Sequence, residues 1–263
     1  MNRINLTLII SALFFAVSCG NEQKPATEKT EEKVLSEAEA LVNKSIEAHG
    51  MEGLVKSTVN FDFRGRNYIA ERNEGFYVYS RIFEDSLGRR VEDVLSNKGF
   101  ERTVGGEKVE VPEEKAAAYS NSINSVIYFA LLPYFLNDAA AMKEKIGEGT
   151  IKGEAYHKIK VTFQQDGGGK DFDDQYVYWI HKEKNTVDYL AYNYQVNGGG
   201  ARFREAYNIR SVNGVRFADY INYKPKSGSM EVQKFDSLFE SGELEELSRI
   251  DSENVKVEFT NAT

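Results

Sequence analysis

The chain has 263 residues, enough for one large domain or two small ones with a real core. Hydrophobic residues at 41% and charged residues at 28% exclude disorder throughout, and a formal net charge of −8 counts against nucleic acid as a partner, because phosphate binding needs a basic footprint. A single cysteine, Cys19, rules out an intramolecular disulfide and a thiolate metal cluster, while 16 Phe and 15 Tyr against one Trp lean toward β structure.

The amino terminus reads as an address. Arg3 precedes an apolar run from Ile4 to Val17, followed by Ser18, Cys19 and Gly20. A basic start, a short apolar middle and small residues at a cut site describe a secretory signal. Fourteen helical residues reach ~21 Å, short of the ~30 Å of a bilayer core. Ala16-Val17-Ser18-Cys19 is similar to a bacterial lipobox, which implies cleavage before Cys19 and lipidation of its thiol. Gly20 rather than Asp follows, so an inner-membrane retention signal of the Asp type is missing. Residues 1–18 are therefore expected to be a lipoprotein signal peptide and 19–35 a tether, polar and interrupted by Pro25. Loss of Arg3 with the signal moves the net charge from −8 to −9.

A single folded domain is expected over 36–260. Ser36 and Glu39 have capping-box spacing, and Leu35, Ala38, Leu41, Val42 and Ile46 repeat at helical intervals, so a helix is expected from Glu37 to His49, ended by Gly50. Short runs rich in Phe, Tyr and Val follow: Thr58–Arg64, Asn67–Arg72, Phe76–Phe83, Arg89–Leu95, Phe100–Val104 and Lys108–Val111. Gly/Asn turns at 8–12-residue spacing make these an antiparallel meander. Pro112 with Glu113 and Glu114 opens a helix. Ser122 to Leu136 is the most apolar stretch after the signal, with Pro133 bending or ending a helix. Asn137 or Asp138 is expected to cap another helix through Lys145. Strands then resume at Ala155–Gln164, Gln175–His181, Thr186–Val196, Arg202–Arg210 and Val215–Lys224. Phe235 to Ser248 reads as a helical stretch broken near Gly242, and Val255–Phe259 as an edge strand.

Three groups of residues carry a family resemblance. They are Ala48-His49-Gly50 at the helix end, Phe61-Asp62-Phe63-Arg64-Gly65-Arg66 at the first hairpin, and the run Tyr119 to Pro133, together with two Gly-Gly-Gly turns. The chain resembles a family of Bacteroidota lipoproteins, itself similar to the LolA/LolB-like lipoprotein-carrier superfamily. The resemblance covers nearly all of Glu37 to Ile250. It implies a mainly β (α+β) fold, a curved antiparallel half-barrel wrapped around or covered by helices. It also implies a hydrophobic cavity that holds acyl chains in carriers of this shape; the missing retention signal directs the expected lipoprotein to the outer membrane.

No G-x-S-x-G elbow, P-loop or H-E-x-x-H occurs, which disfavours a familiar hydrolase. His49 is expected to act structurally, as a cation at a helix C-terminus; His157 and His181 are expected to face solvent. Asp171, Asp173 and Asp174 read as a solvated acidic turn without EF-hand spacing. No cofactor is implied. Arg64, Arg66, Arg81, Arg202 and Arg204 lie in strands among aromatics. Alternation puts Arg202, Arg204, Ala206 and Asn208 on one face and Phe203, Glu205, Tyr207 and Ile209 on the other, making Glu205 the polar anomaly of the apolar face. It is expected to pair with an arginine across the sheet or to meet a polar head group. Cavity candidates are Phe61, Phe63, Tyr79, Tyr128, Leu132, Phe135, Trp179, Tyr192, Tyr194, Phe203, Glu205 and Tyr207. The expected function is binding of a lipid or lipoprotein acyl chain, with Ser122–Leu136 as the mobile part and the membrane reached through lipid on Cys19. Two alternatives stay open: a ligand-free module docking another envelope protein, and an enzyme on a small metabolite with an Arg/Glu-lined pocket.

Overall fold

The computed structural model describes residues 35–164, 174–195 and 198–260; Cys19, Gly167–Gly169, Asp171 and Asp173 lie outside them. Helix α1 (Glu37–Ala48) starts as its sequence dictates. The Ser36 hydroxyl accepts from the Glu39 backbone N–H at 3.2 Å, and the Ser36 N–H donates to the Glu39 carboxylate at 2.8 Å. Ala38, Leu41, Val42 and Ile46 form its buried stripe.

Six strands follow as a meander: β1 (Lys56–Phe63), β2 (Arg66–Asn73), β3 (Phe76–Glu84), β4 (Arg90–Ser96), β5 (Gly99–Val104) and β6 (Glu107–Val109). Helix α2 (Glu113–Ala130) then runs unbroken, and a short 3-10 turn from Tyr134 to Asn137 leads into the second meander. Its strands are β7 (Ala141–Ile151), β8 (Glu154–Phe163), β9 (Tyr176–His181), β10 (Val187–Tyr194), β11 (Gly200–Val212), β12 (Val215–Pro225) and β13 (Leu244–Ile250). A six-residue helix, α3 (Phe235–Glu240), interrupts the last connection. Strand β14 (Glu253–Phe259) leaves the second sheet and pairs with β1, completing two seven-stranded antiparallel sheets of order β14-β1-β2-β3-β4-β5-β6 and β13-β12-β11-β10-β9-β8-β7. Neither sheet closes into a barrel; the architecture is the open, helix-covered half-barrel expected.

The main core joins both sheets to α1 and α2, through residues such as Val42, Phe61, Ile127, Leu136, Tyr178 and Phe217. A second core lies on the other face of the β7–β13 sheet. There Trp179, Tyr189 and Phe203 pack under Val232, Phe235 and Leu244. Strand β9 is accordingly buried at all six positions.

One expected helix is a strand, and a second is a strand over its latter half. Ala141–Ile151 contains good helix formers, yet it pairs with β8 from Ala141↔Phe163 to Ile151↔Glu154, and the ladder overrides intrinsic propensity. In Phe235–Ser248 only Phe235–Glu240 is helical; Gly242 takes φ +73°, and Leu244–Ile250 turns back to pair with β12.

Candidate ligand-binding site

A cavity of about 350 Å³, half open to solvent, lies between the two sheets and α2. Period-two alternation on β1 turns Phe61 and Phe63 toward it. Helical spacing on α2 brings Val126 and Phe129 to the same space, and β10 adds Tyr192. The volume falls at the small end of the ~300–1,000 Å³ usual for small-molecule sites.

Arg204 is the polar centre of this cavity. It is 8% exposed. Its guanidinium stacks on Phe129 at 3.9 Å from the ring centroid, with Tyr192 at 5.2 Å. Its Nη2 donates to the Tyr192 hydroxyl at 3.0 Å. Asn222 lies directly opposite on β12 and lines the cavity beside it. A second, wider groove of about 620 Å³ adjoins the cavity through shared Phe63 and Arg64. Its walls mix cations with acids, among them Arg66, Arg90, Arg249, Asp62 and Asp251.

The structure sorts the predicted residues into three groups. Phe61, Phe63 and Tyr192 line the cavity, and Tyr194 is neighbour to Tyr192 at 6.3 Å between rings. Tyr79, Tyr128, Leu132 and Phe135 belong to or pack on the main core instead. The Tyr128 hydroxyl is 3.0 Å from that of Tyr178, and its ring stacks on Phe135 at 5.6 Å. Burial pushes the Tyr128 phenol far above its ordinary range, against the opposing hydrogen bond from Tyr178. Burial likewise pushes the Tyr79 phenol up to about 12, although Arg72 donates to its hydroxyl.

Trp179, Phe203 and Glu205 face away from the cavity, into the second core or at its edge. Glu205 is 9% exposed. It pairs with Lys152 rather than an arginine, and accepts from the Tyr223 hydroxyl at 3.1 Å. Tyr207 donates its hydroxyl to Asp251 at the surface. The face assignment of β11 is thus the reverse of the expected one. Both faces of this sheet are covered, so alternation alone does not tell which face meets the cavity. Val126 and Phe129 were not among the expected lining residues, although their i, i+3 spacing within the apolar stretch was the available signal.

The histidines also differ from expectation. His49 is 2% exposed; its Nδ1 donates to the Ser45 carbonyl at 2.8 Å, which leaves Nε2 to accept from Arg216 at 3.2 Å. Burial, with the Arg216 charge adding to it, lowers the imidazole pKa to about 4, so the ring is neutral rather than a cation at the helix end. His181 is buried, not solvent-facing. Its Nδ1 accepts the backbone N–H groups of Glu183 and Lys184 at 3.1 and 3.2 Å, so Nε2 carries the proton toward Glu154, 3.1 Å away. His157 is half-buried, and Asp174 is buried rather than part of a solvated turn.

Residues 30–252 match the profile of the Family of unknown function (DUF6503), and the chain belongs to that family. No curated protein matches it. Among solved structures, it is similar to a LolA superfamily protein from Nitrosomonas europaea (11% identity, 85% of this chain and 97% of that one, TM-score 0.46). It is also similar to a DUF1329 family protein from Desulfovibrio piger (10% identity, 86% of this chain and 95% of that one, TM-score 0.42). No described helix is long and apolar enough to cross a membrane.

Proposed function

We propose that this chain is a cell-envelope lipoprotein, anchored through lipid on Cys19 at the outer membrane, that holds a hydrophobic or amphipathic ligand non-covalently. The cavity between the two sheets and α2 carries the reading. Its walls are chiefly Phe, Tyr and aliphatic side chains, and an acyl chain placed there loses water contact at about 25 cal/mol per Å² of apolar surface. Support for the anchor comes from the sequence alone, from Ala16-Val17-Ser18-Cys19 after an apolar run.

An enzyme with a paired Arg/Glu pocket has no support at this cavity, because Glu205 and Arg204 occupy opposite faces of β11. The test is native mass spectrometry of the gently purified protein, followed by organic extraction. An adduct released into the organic phase as an amphiphile is the expected result. Protein that stays empty after exposure to acyl amphiphiles of several lengths overturns the reading.

A further inference from the structure

We infer that the cavity selects an amphiphile with an anionic head, and that Arg204 is the residue that meets that head; this deepens the ligand-binding reading above and rests on it. Two arginines of the described chain are buried, Arg81 and Arg204. They are handled in opposite ways. Arg81 forms a two-pronged ion pair with Asp93, its Nε at 3.0 Å and its Nη2 at 2.5 Å from the carboxylate. Arg204 has no carboxylate within ion-pair distance among the described residues, and its Nε–H has no acceptor. Among the described residues, the Tyr192 hydroxyl and the faces of the Phe129 and Tyr192 rings are what meet this buried cation. A buried charge left this way costs several kcal/mol unless something completes it.

The lining points to the missing partner. Among the described residues, the charged ones on the cavity wall are Arg204 and, at the exposed edge, Arg64, and no acid lines it. In a chain of net charge −8, a cavity carrying cations alone is an exception that needs a cause. Arg64 holds a positive φ of 50° at the β1–β2 turn, and its guanidinium rests over Phe63 at 5.1 Å. Asn222 completes the polar end. Its side chain bonds Ser248 through Nδ2 at 3.2 Å, while its Oδ1 has no partner among the described residues. The Ser248 hydroxyl can donate as well as accept, so the amide can turn over and present Nδ2 to an anion. Carboxylate and phosphate monoester heads share this chemistry: two or more acceptor oxygens that take a charge-assisted bond from guanidinium. The body of the ligand lies along Phe61, Val126 and Phe129.

The test is affinity by calorimetry for four twelve-carbon probes, dodecanoate, dodecyl phosphate, dodecanol and dodecyltrimethylammonium, with inorganic phosphate and acetate as head-only controls. The protein is the full chain or its Arg204→Leu variant. Wild type is expected to prefer the anionic probes over dodecanol by at least about tenfold. Their order tells a carboxylate from a phosphate source. Arg204→Leu is expected to keep dodecanol binding and lose the preference, and Arg204→Lys to keep part of it. Thermal unfolding separates folding from recognition, since replacing an unpaired buried charge with Leu leaves the midpoint unchanged or raised. Equal affinity for dodecanol and dodecanoate, or tighter binding of the ammonium probe, overturns the role of Arg204 and leaves the cavity reading standing. Inorganic phosphate or acetate binding as tightly as the amphiphiles overturns the amphiphile. No binding of any twelve-carbon probe counts against the cavity reading itself.

Discussion

At the residue scale, buried charge decides where a single substitution costs most. Asp93 is fully buried between two arginines, accepting from Arg81 and, through Arg102 Nε and Nη2, at 2.5 and 2.9 Å. Arg81 also donates to the Ser122 hydroxyl of α2 at 3.0 Å, and Arg102 stacks on Tyr119 at 4.0 Å. Asp93→Asn removes the one charge that compensates both cations. It is expected to cost about 3–5 kcal/mol, read as a lower midpoint in urea with an unchanged slope. His49 gives a pH dependence. An unfolded imidazole titrates near its model value of 6.5 and the folded one near 4, so the unfolded state takes up the proton first as pH falls. Stability from this group is complete above pH 6.5 and is lost between 6.5 and 4. About 2 kcal/mol is expected to go between pH 7 and 5, and His49→Gln should flatten that part of the profile. Sequence placed His49 at a helix end and read it as a cation there, because the ring's neutrality comes first from burial and then from the charge of Arg216, a residue distant in the chain.

At the element scale, what was legible followed from local rules. The α1 cap, the β1–β6 meander and its turns are all set by neighbours in sequence. What was not legible was set by partners far along the chain. β7 has helix-forming residues and is a strand because β8 is beside it. β11 misled for a different reason. Pairs counted outward from the Asn213-Gly214 turn would put Tyr223 opposite Arg204. An irregularity between Tyr207 and Arg210, with Asn208 at φ +47°, shifts the register by one and places Asn222 there instead. No local signal marks that bulge strongly, so the polar end of the cavity was hidden, although Phe61, Phe63 and Tyr192 were visible. The seam between α1 and the β11–β12 hairpin is set by one glycine. Gly50 has φ +65°, and an added Cβ would sit 2.2 Å from the Gly214 carbonyl oxygen. The Arg216 N–H donates to the His49 carbonyl at 2.8 Å in the same contact. Gly50→Ala combines backbone strain with a clash against main chain, and a loss of about 2 kcal/mol or more is expected in equilibrium unfolding.

At the scale of the whole molecule, the two sheets are sequential blocks with one exception. Strands β1–β6 are complete by residue 109 and β7–β13 by residue 250, yet β14 returns to cover β1, with Ser57 opposite Phe259. That pairing leaves synthesis on a ribosome with an awkward interval. The outer rim of the first sheet stays bare of its closing neighbour while roughly two hundred further residues are threaded out, and an uncovered rim is a template for the wrong chain.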